Sequence, residues 1–300
     1  MIKLPSGVEI NNLIDDLRIF SWEASDKLLY YAQILKDSSN KSNILKKDSK
    51  EEPVTLADLE VNDIIIRRIN EKYKGVNWGI LSEENVKITP ETPVIDYDWL
   101  WVLDPLDGTK DFIQGSNNFA MHLALNYKQK PFLGVVLIPA KDELWFGDGR
   151  RCWGERRNGS RINIQKNDNQ NFEEMTLVTS KNHNNKILKN LIEKIQFNKV
   201  VVMGSIGCKV TSIVKGESNI YICLSIPGKS FPKDWDFAAP EAILKSSGGA
   251  ITNLENQDLI YNKSKYEQSG IIIASRDRSN HENICIRLKE IISEFNIYPI

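Results

Sequence analysis

Cysteine is scarce in this chain. Cys152, Cys208, Cys223 and Cys285 stand far apart in 300 residues, and no two form a C-x-x-C pair. That spacing argues against a zinc ribbon or a thioredoxin-like redox motif. A chain this long and this poor in cysteine does not rest on a disulfide framework. Excess charge of one sign is missing too. The 39 basic residues against 40 acidic ones leave a net charge of −1, so no global field attracts a nucleic-acid polymer or an anionic membrane. No apolar run is long enough to span a bilayer, and the N-terminal stretch "MIKLPSGVEINNLIDDLRIF" carries acids early and has no signal-peptide core. These absences lead to the expectation of a cytoplasmic protein with no transmembrane segment. Internal repeats are absent as well.

What is there is ordinary for a globular chain, with 41% hydrophobic and 26% charged residues. The length allows one large domain or two smaller ones. Ile10, Leu13, Leu17, Phe20, Ala24 and Leu28 recur at helical spacing. A polar stretch, "KDSSNKSNILKKDSKEEP", reads as a flexible loop. Thr55 is a fitting N-cap for a second helix, "VTLADLEVNDIIIRRINEKY". The middle of the chain is rich in strands: "WGILS", "WLWVLD", the pair "FAMHLALNY" and "FLGVVLIP" around the turn "KQKP", and "ELWFG". After the polar segment 166–174, strands and helices alternate. The pattern predicts an α+β / α/β chain divided into residues 1–172 and 173–300.

The segment "WLWVLDPLDGTKDF" carries the chemistry. An apolar strand ends in Asp104 and Asp107, then Gly108 and Thr109 turn into a helix. Proline between the acids predicts a bend that points both carboxylates into one space. Carboxylates and a peptide carbonyl are hard oxygen ligands and suit Mg²⁺ better than zinc. A helix start offers N–H groups to a phosphate at the same place. The plain alternative is a surface turn in which Asp107 caps the helix that follows. Two further features weigh against it. "ILSEEN" puts Glu83 and Glu84 at another strand end, and "KDWDFAAPEAIL" puts Asp236 at a helix start. Each has its own bland reading, a solvated loop and an N-cap respectively.

Together "DPLDGTKDF", the upstream "SEE" and the downstream "WDFAA" resemble the inositol monophosphatase superfamily, whose patterns are D-P-[IL]-D-G-T and W-D-x-A-[AG]. The resemblance runs over nearly the whole chain and implies its layered αβαβα sugar-phosphatase fold. Within it, Lys110 and Asp111 give D-G-T-K-D-F, close to the D-G-T-K-E-F of CysQ-like 3′(2′),5′-bisphosphate nucleotidases. "PVTLAD", "TSKNHNN" and "GSIGCKVTSIVKGESNIYI" resemble further segments of that group. Asn182 stands where a serine is usual, K-G-E where A-E-G is usual, and "SIPGKSFPKDWD" lacks the arginine found in relatives.

The resemblance implies Mg²⁺-dependent hydrolysis of a phosphate ester by an activated water, with two or three ions per site. Glu83, Asp104 and the Leu106 carbonyl would hold one ion, and Asp104, Asp107 and Asp236 another. Thr109 would orient the water with its hydroxyl held by Asp58, and the N–H groups of Gly108 and Thr109 would hold the phosphate. Gly204, Ser205, Lys209 and His183 would form the substrate side. His122 reads as structural, and the arginines of "RRCWGERRNGSR" as solvated charge. The implied substrate is adenosine 3′,5′-bisphosphate or the related 3′-phosphoadenylyl sulfate, with lithium as an inhibitor. An inositol monophosphatase or a sugar bisphosphatase of the same superfamily is the alternative. A haloacid-dehalogenase phosphatase fits poorly, because its D-x-D-G-T motif has one residue fewer between the acids. Monomer and homodimer both stay open.

Overall fold

The structure, a computed structural model, describes residues 2–36, 45–47, 54–88, 96–165, 171–180, 186–225, 231–262 and 264–298. Helix α1 spans Ile10–Leu35. Two short strands pair antiparallel: β1 (Leu45–Lys47), inside the segment expected to be a loop, and β2 (Val54–Thr55), at the start of the stretch expected to be a helix. Then come α2 (Leu56–Lys72), β3 (Gly79–Ser82), α3 (Glu83–Ile88), β4 (Trp99–Asp107), α4 (Thr109–Ile113), β5 (Ala120–Tyr127), β6 (Lys130–Ile138), β7 (Glu143–Gly147) and β8 (Cys152–Glu155). The second stretch runs β9 (Thr176–Ser180), α5 (Lys186–Ile195), β10 (Lys199–Met203), α6 (Ile206–Lys215), β11 (Ile220–Leu224), α7 (Asp234–Ser246), β12 (Ala250–Asn253), β13 (Ile271–Ser275) and α8 (Arg278–Glu294).

Strands β3 to β8 form a six-stranded sheet in sequence order, and the others a five-stranded sheet in the order β10-β9-β11-β13-β12. The first sheet is antiparallel except for the parallel pair β3–β4. The expected hairpin is β5–β6, and its turn is only Lys128 and Gln129, both at positive φ. That left-handed pair matches the twist of the flanking strands.

Alternation along the strands explains the layering. On β4, Trp101 and Leu103 join the core with α1 and α2, while Leu100 and Val102 join a second core with α6, α7 and the other sheet. On the five-stranded sheet, Leu177, Ile220, Ile222, Ile271 and Ile273 turn outward to a third core under α5 and α8. The result is α1/α2, sheet, α6/α7, sheet, α5/α8, which is the layered αβαβα arrangement expected. Helix α7 lies directly on the first sheet. A Cβ at Gly134 would stand 2.5 Å from the Ala239 carbonyl oxygen, and one at Gly147 2.6 Å from that of Ala242. No helix among the described residues is long and apolar enough to cross a membrane.

The outer layer contains a buried titratable group with no place in the site. His281 opens α8 and is 1% exposed. Its Nε2 is 2.7 Å from Thr252 Oγ1 on β12 and its Nδ1 2.6 Å from Ser275 Oγ on β13. Burial, then the charges of Arg278 and Lys245, push its pKa down from 6.5 to about 4. The unfolded chain therefore takes up this proton first as the pH falls, and the stability held by the neutral ring is lost between about pH 6.5 and pH 4. Wild type should lose about 2 kcal/mol from this group between pH 7 and pH 5. Urea denaturation of wild type and His281→Asn at both pH values checks this. The stability gap between them shrinks at pH 5, and an unchanged gap contradicts the assignment.

Candidate active site

The site grows from an irregularity in β4. Residues alternate faces along a strand, so Asp104 and Asp107, an odd number apart, would point to opposite sides. Strand β4 instead continues through Pro105 to Asp107, and three steps along it, from Asp104 to Asp107, are matched by two steps along β5, from His122 to Ala120. This bulge inserts one residue and returns both acids to one face. The strand does not end in a simple bend at the first acid, as the sequence suggested. Asp104 Oδ1 accepts from the Leu106 N–H at 3.0 Å, which pins the bulge. Gly108 follows at φ +88, a conformation that side chains rarely adopt, and turns the chain into the short helix α4.

Asp107 does not cap the helix that follows it in sequence; Gly108 stands at that position. Its Oδ2 instead accepts from Ser205 Oγ at 2.7 Å, from the Gly207 N–H at 3.3 Å and from the Ile206 N–H. The carboxylate thus caps α6, nearly a hundred residues away, where the free N–H groups and the positive end of the helix favour an anion. Ser205 is the N-cap of α6 and accepts from the Cys208 N–H at 3.2 Å. Expected on the substrate side, it is engaged between Asp107 and its own helix. On β5, His122 is fully buried; its Nε2 lies 3.2 Å from Asp107 Oδ2 without hydrogen-bond alignment, and its Nδ1 lies 3.4 Å from the Trp235 carbonyl oxygen.

Asp236 enters from the first turn of α7. One of its oxygens accepts from the Lys233 N–H at 2.5 Å, closing the turn from inside. Carboxylate oxygens of Asp104, Asp107 and Asp236 all lie within 4.8 Å of one another. Glu83, at the start of α3, stands outside this trio but near enough for its charge to act on Asp104. Burial first, and then Glu83, Asp107 and Asp236, push the Asp104 carboxyl well above the usual range. Burial, then Asp107 and Glu83, do the same to Asp236. These shifts have one physical cause: negative charge is held close together with little water around it. A hard divalent cation relieves the crowding, and the donor set of carboxylates with the nearby Leu106 carbonyl fits Mg²⁺.

Thr109 sits at the edge of this cluster. Its Oγ1 lies 3.3 Å from Asp58 Oδ1 and 2.9 Å from the Leu106 carbonyl oxygen. Asp58 Oδ2 accepts from the Thr55 N–H at 2.7 Å and from Thr55 Oγ1 at 2.6 Å, the capping box that starts α2. Burial raises the Asp58 pKa to about 7 against the opposing Thr55 bonds. Lys209 is 3% exposed. Its ammonium donates to the Gly204 carbonyl and lies 5.2 Å above the Tyr221 ring. Gly204 itself has no room for a side chain, since a Cβ there would stand 2.4 Å from Asp111 Cγ. The expected role of His183 lies outside the described residues. Among the basic cluster, Arg151, Arg157 and Arg161 pair with Asp148, Asp26 and Glu155.

Two more buried acids lie beside the site: Asp111, which the sequence named only within D-G-T-K-D-F, and Asp234, which it did not single out. Asp111 packs against Gly204. Asp234, fully buried, accepts from Gln268 Nε2 at 2.7 Å and from the Asn262 N–H, fixing the first turn of α7. Those partners are 34 and 28 residues away, so no local pattern could have announced the second.

The comparisons with known proteins give the family and the fold. The model of the inositol monophosphatase family matches residues 19–293. The chain belongs to this family of phosphatases. A 3′(2′),5′-bisphosphate nucleotidase CysQ from Buchnera aphidicola is 30% identical over 226 residues, which is 71% of this chain and 75% of that protein. The solved structure of an IMPase from Thermotoga maritima has a TM-score of 0.71 at 22% identity and covers 94% of this chain and 99% of its own. That of CysQ from Bacteroides thetaiotaomicron has a TM-score of 0.66 at 22% identity, with 88% and 98% covered. At that identity the two structures speak for the fold.

The position of Asp107 gives a test in metal-free buffer. Asparagine at 107 keeps an oxygen for the α6 N–H groups and removes one charge from the cluster. Asp107→Asn should therefore be at least as stable as wild type in EDTA. Asp107→Leu loses the cap and should cost about 1–2 kcal/mol. Urea denaturation of the three proteins reads this directly, and equal losses in both variants would contradict the capping role.

Proposed function

We propose that the chain is a Mg²⁺-dependent phosphomonoesterase that removes the 3′-phosphate of adenosine 3′,5′-bisphosphate to leave AMP, and that it also accepts 3′-phosphoadenylyl sulfate. The observation that carries this reading is the 30% identity to a bisphosphate nucleotidase over 71% of the chain. The crowded acids of the described site and the D-G-T-K-D-F stretch support it.

In this reading Glu83, Asp104 and the Leu106 carbonyl, and Asp104, Asp107 and Asp236, hold Mg²⁺. Bound there, the metal supplies positive charge to the phosphoryl and leaving oxygens and makes a water more acidic. The protein's own part is orientation. Thr109 Oγ1, between Asp58 Oδ1 and the Leu106 carbonyl, is the acceptor for a proton of the attacking water, with Asp58 behind it to draw on the hydroxyl proton. The water oxygen bonds to phosphorus as the bond to the ribose 3′-oxygen breaks, and that oxygen takes up a proton from solvent as it leaves, which balances the one given up toward Thr109 and Asp58. The N–H groups of Gly108 and Thr109 face the phosphate. Lys209, buried at the Gly204 carbonyl, places positive charge behind the loop that opens α6. It shapes the substrate side from within.

Phosphate release from adenosine 3′,5′-bisphosphate and from inositol 1-phosphate, each with Mg²⁺ and with EDTA, tests the reading. Strong Mg²⁺-dependent turnover of the nucleotide is expected, and Asp104→Asn should lower it about a thousandfold or more. Preference for the inositol ester overturns the substrate assignment, and near-native turnover by Asp104→Asn overturns the site.

A further inference from the structure

Helix α3 opens with Glu83 and Glu84, and Lys87 follows four and three residues later. Side chains at those spacings meet on one face of a helix. Here both pairs form at once. Lys87 Nζ lies 2.9 Å from Glu83 Oε1 and 2.9 Å from Glu84 Oε1. Glu84 is 2% exposed, while Glu83 and Lys87 keep 20% of their side-chain exposure. The ammonium is therefore held mainly by protein carboxylates, in a place where salt screens it less than at an open surface. The charge of Glu83 also acts on Asp104. One carboxylate thus stands between a fixed cation and the acid cluster.

A carboxylate oxygen that accepts from an ammonium has less charge to give a second cation. A positive charge fixed beside a divalent ion also repels it, and the energy falls only inversely with distance. Lys87 combines both effects at a single acid. The other three acids are engaged differently. Asp107 and Asp236 accept from N–H groups at helix starts, and Asp104 accepts from the Leu106 N–H.

We propose that Lys87 is a built-in competitor for the cation site: it holds Glu83 when no divalent ion is bound and weakens the protein's affinity for Mg²⁺. Lys87 touches no reacting group; it acts through Glu83. The proposal rests on the reading of Glu83 as a metal ligand given above, and it adds what sets the affinity there.

Isothermal titration of the metal-free protein with MgCl₂ at fixed ionic strength tests it without any turnover. Lys87→Met should bind Mg²⁺ about tenfold more tightly than wild type. Lys87→Gln, which keeps a polar tip for Glu84, should tighten binding in the same direction and covers the case in which the methionine variant folds poorly. Lys87→Arg keeps the charge and should restore wild-type affinity, which a purely packing role would not produce. Lys27→Met, which removes the same charge from the α1–α2 pair Lys27–Glu60, should leave the affinity unchanged. Unchanged or weaker binding in both neutral Lys87 variants, with normal binding in wild type, overturns the competitor role and leaves the site intact. No Mg²⁺ binding by wild type, or equal binding by Asp104→Asn, overturns the metal site and the competitor together.

Discussion

Repulsion among carboxylates is the interaction on which the rest of this structure turns. Carboxylate oxygens of Asp104, Asp107 and Asp236 are held within 4.8 Å of one another, and the charge of Glu83 acts on Asp104. Such a group is costly to assemble, and burial raises the cost by removing the water that would solvate it. The fold meets that cost with backbone. Two helix starts, those of α6 and α7, turn N–H groups toward Asp107 and Asp236. Lys87 also sets a positive charge beside Glu83 from outside. A divalent cation would replace these partial remedies with a direct one.

The same acids tie the layers together. Asp104 and Asp107 come from the first sheet, while Ser205, Ile206 and Gly207 come from the start of α6, beyond the first strand of the second sheet. Asp236 arrives on α7, which lies against the first sheet so closely that Gly134 and Gly147 have no room for a Cβ. The site is therefore a product of the middle layer. Its acids keep their mutual distances only while α6 and α7 stay seated between the sheets.

Much of this was legible in the sequence, and for identifiable reasons. The capping box of Thr55 and Asp58 is local, three residues apart, and reads as a helix start from composition alone. The β5–β6 hairpin declares itself by two apolar runs around a polar turn. The acids at 83, 104, 107 and 236 stood out because acids at the ends of apolar segments are unusual. What could not be read was partnership across distance. Asp107 resembles a cap for the helix beside it, yet it caps α6 instead, because Gly108 takes the adjacent position in a left-handed turn. Ser205 and Lys209 were expected to face substrate, and the structure shows each engaged within the protein. The bulge in β4 leaves no signature except the odd spacing of its two acids, and that spacing has meaning only once the pairing with β5 is known.

The most direct test of the central claim is anomalous diffraction from crystals grown with Mn²⁺ in place of Mg²⁺. A strong peak among the carboxylates of Asp104, Asp107 and Asp236 is the predicted result, since the account makes their crowding a cation site. Manganese bound only at surface acids, with nothing among these three, would contradict it.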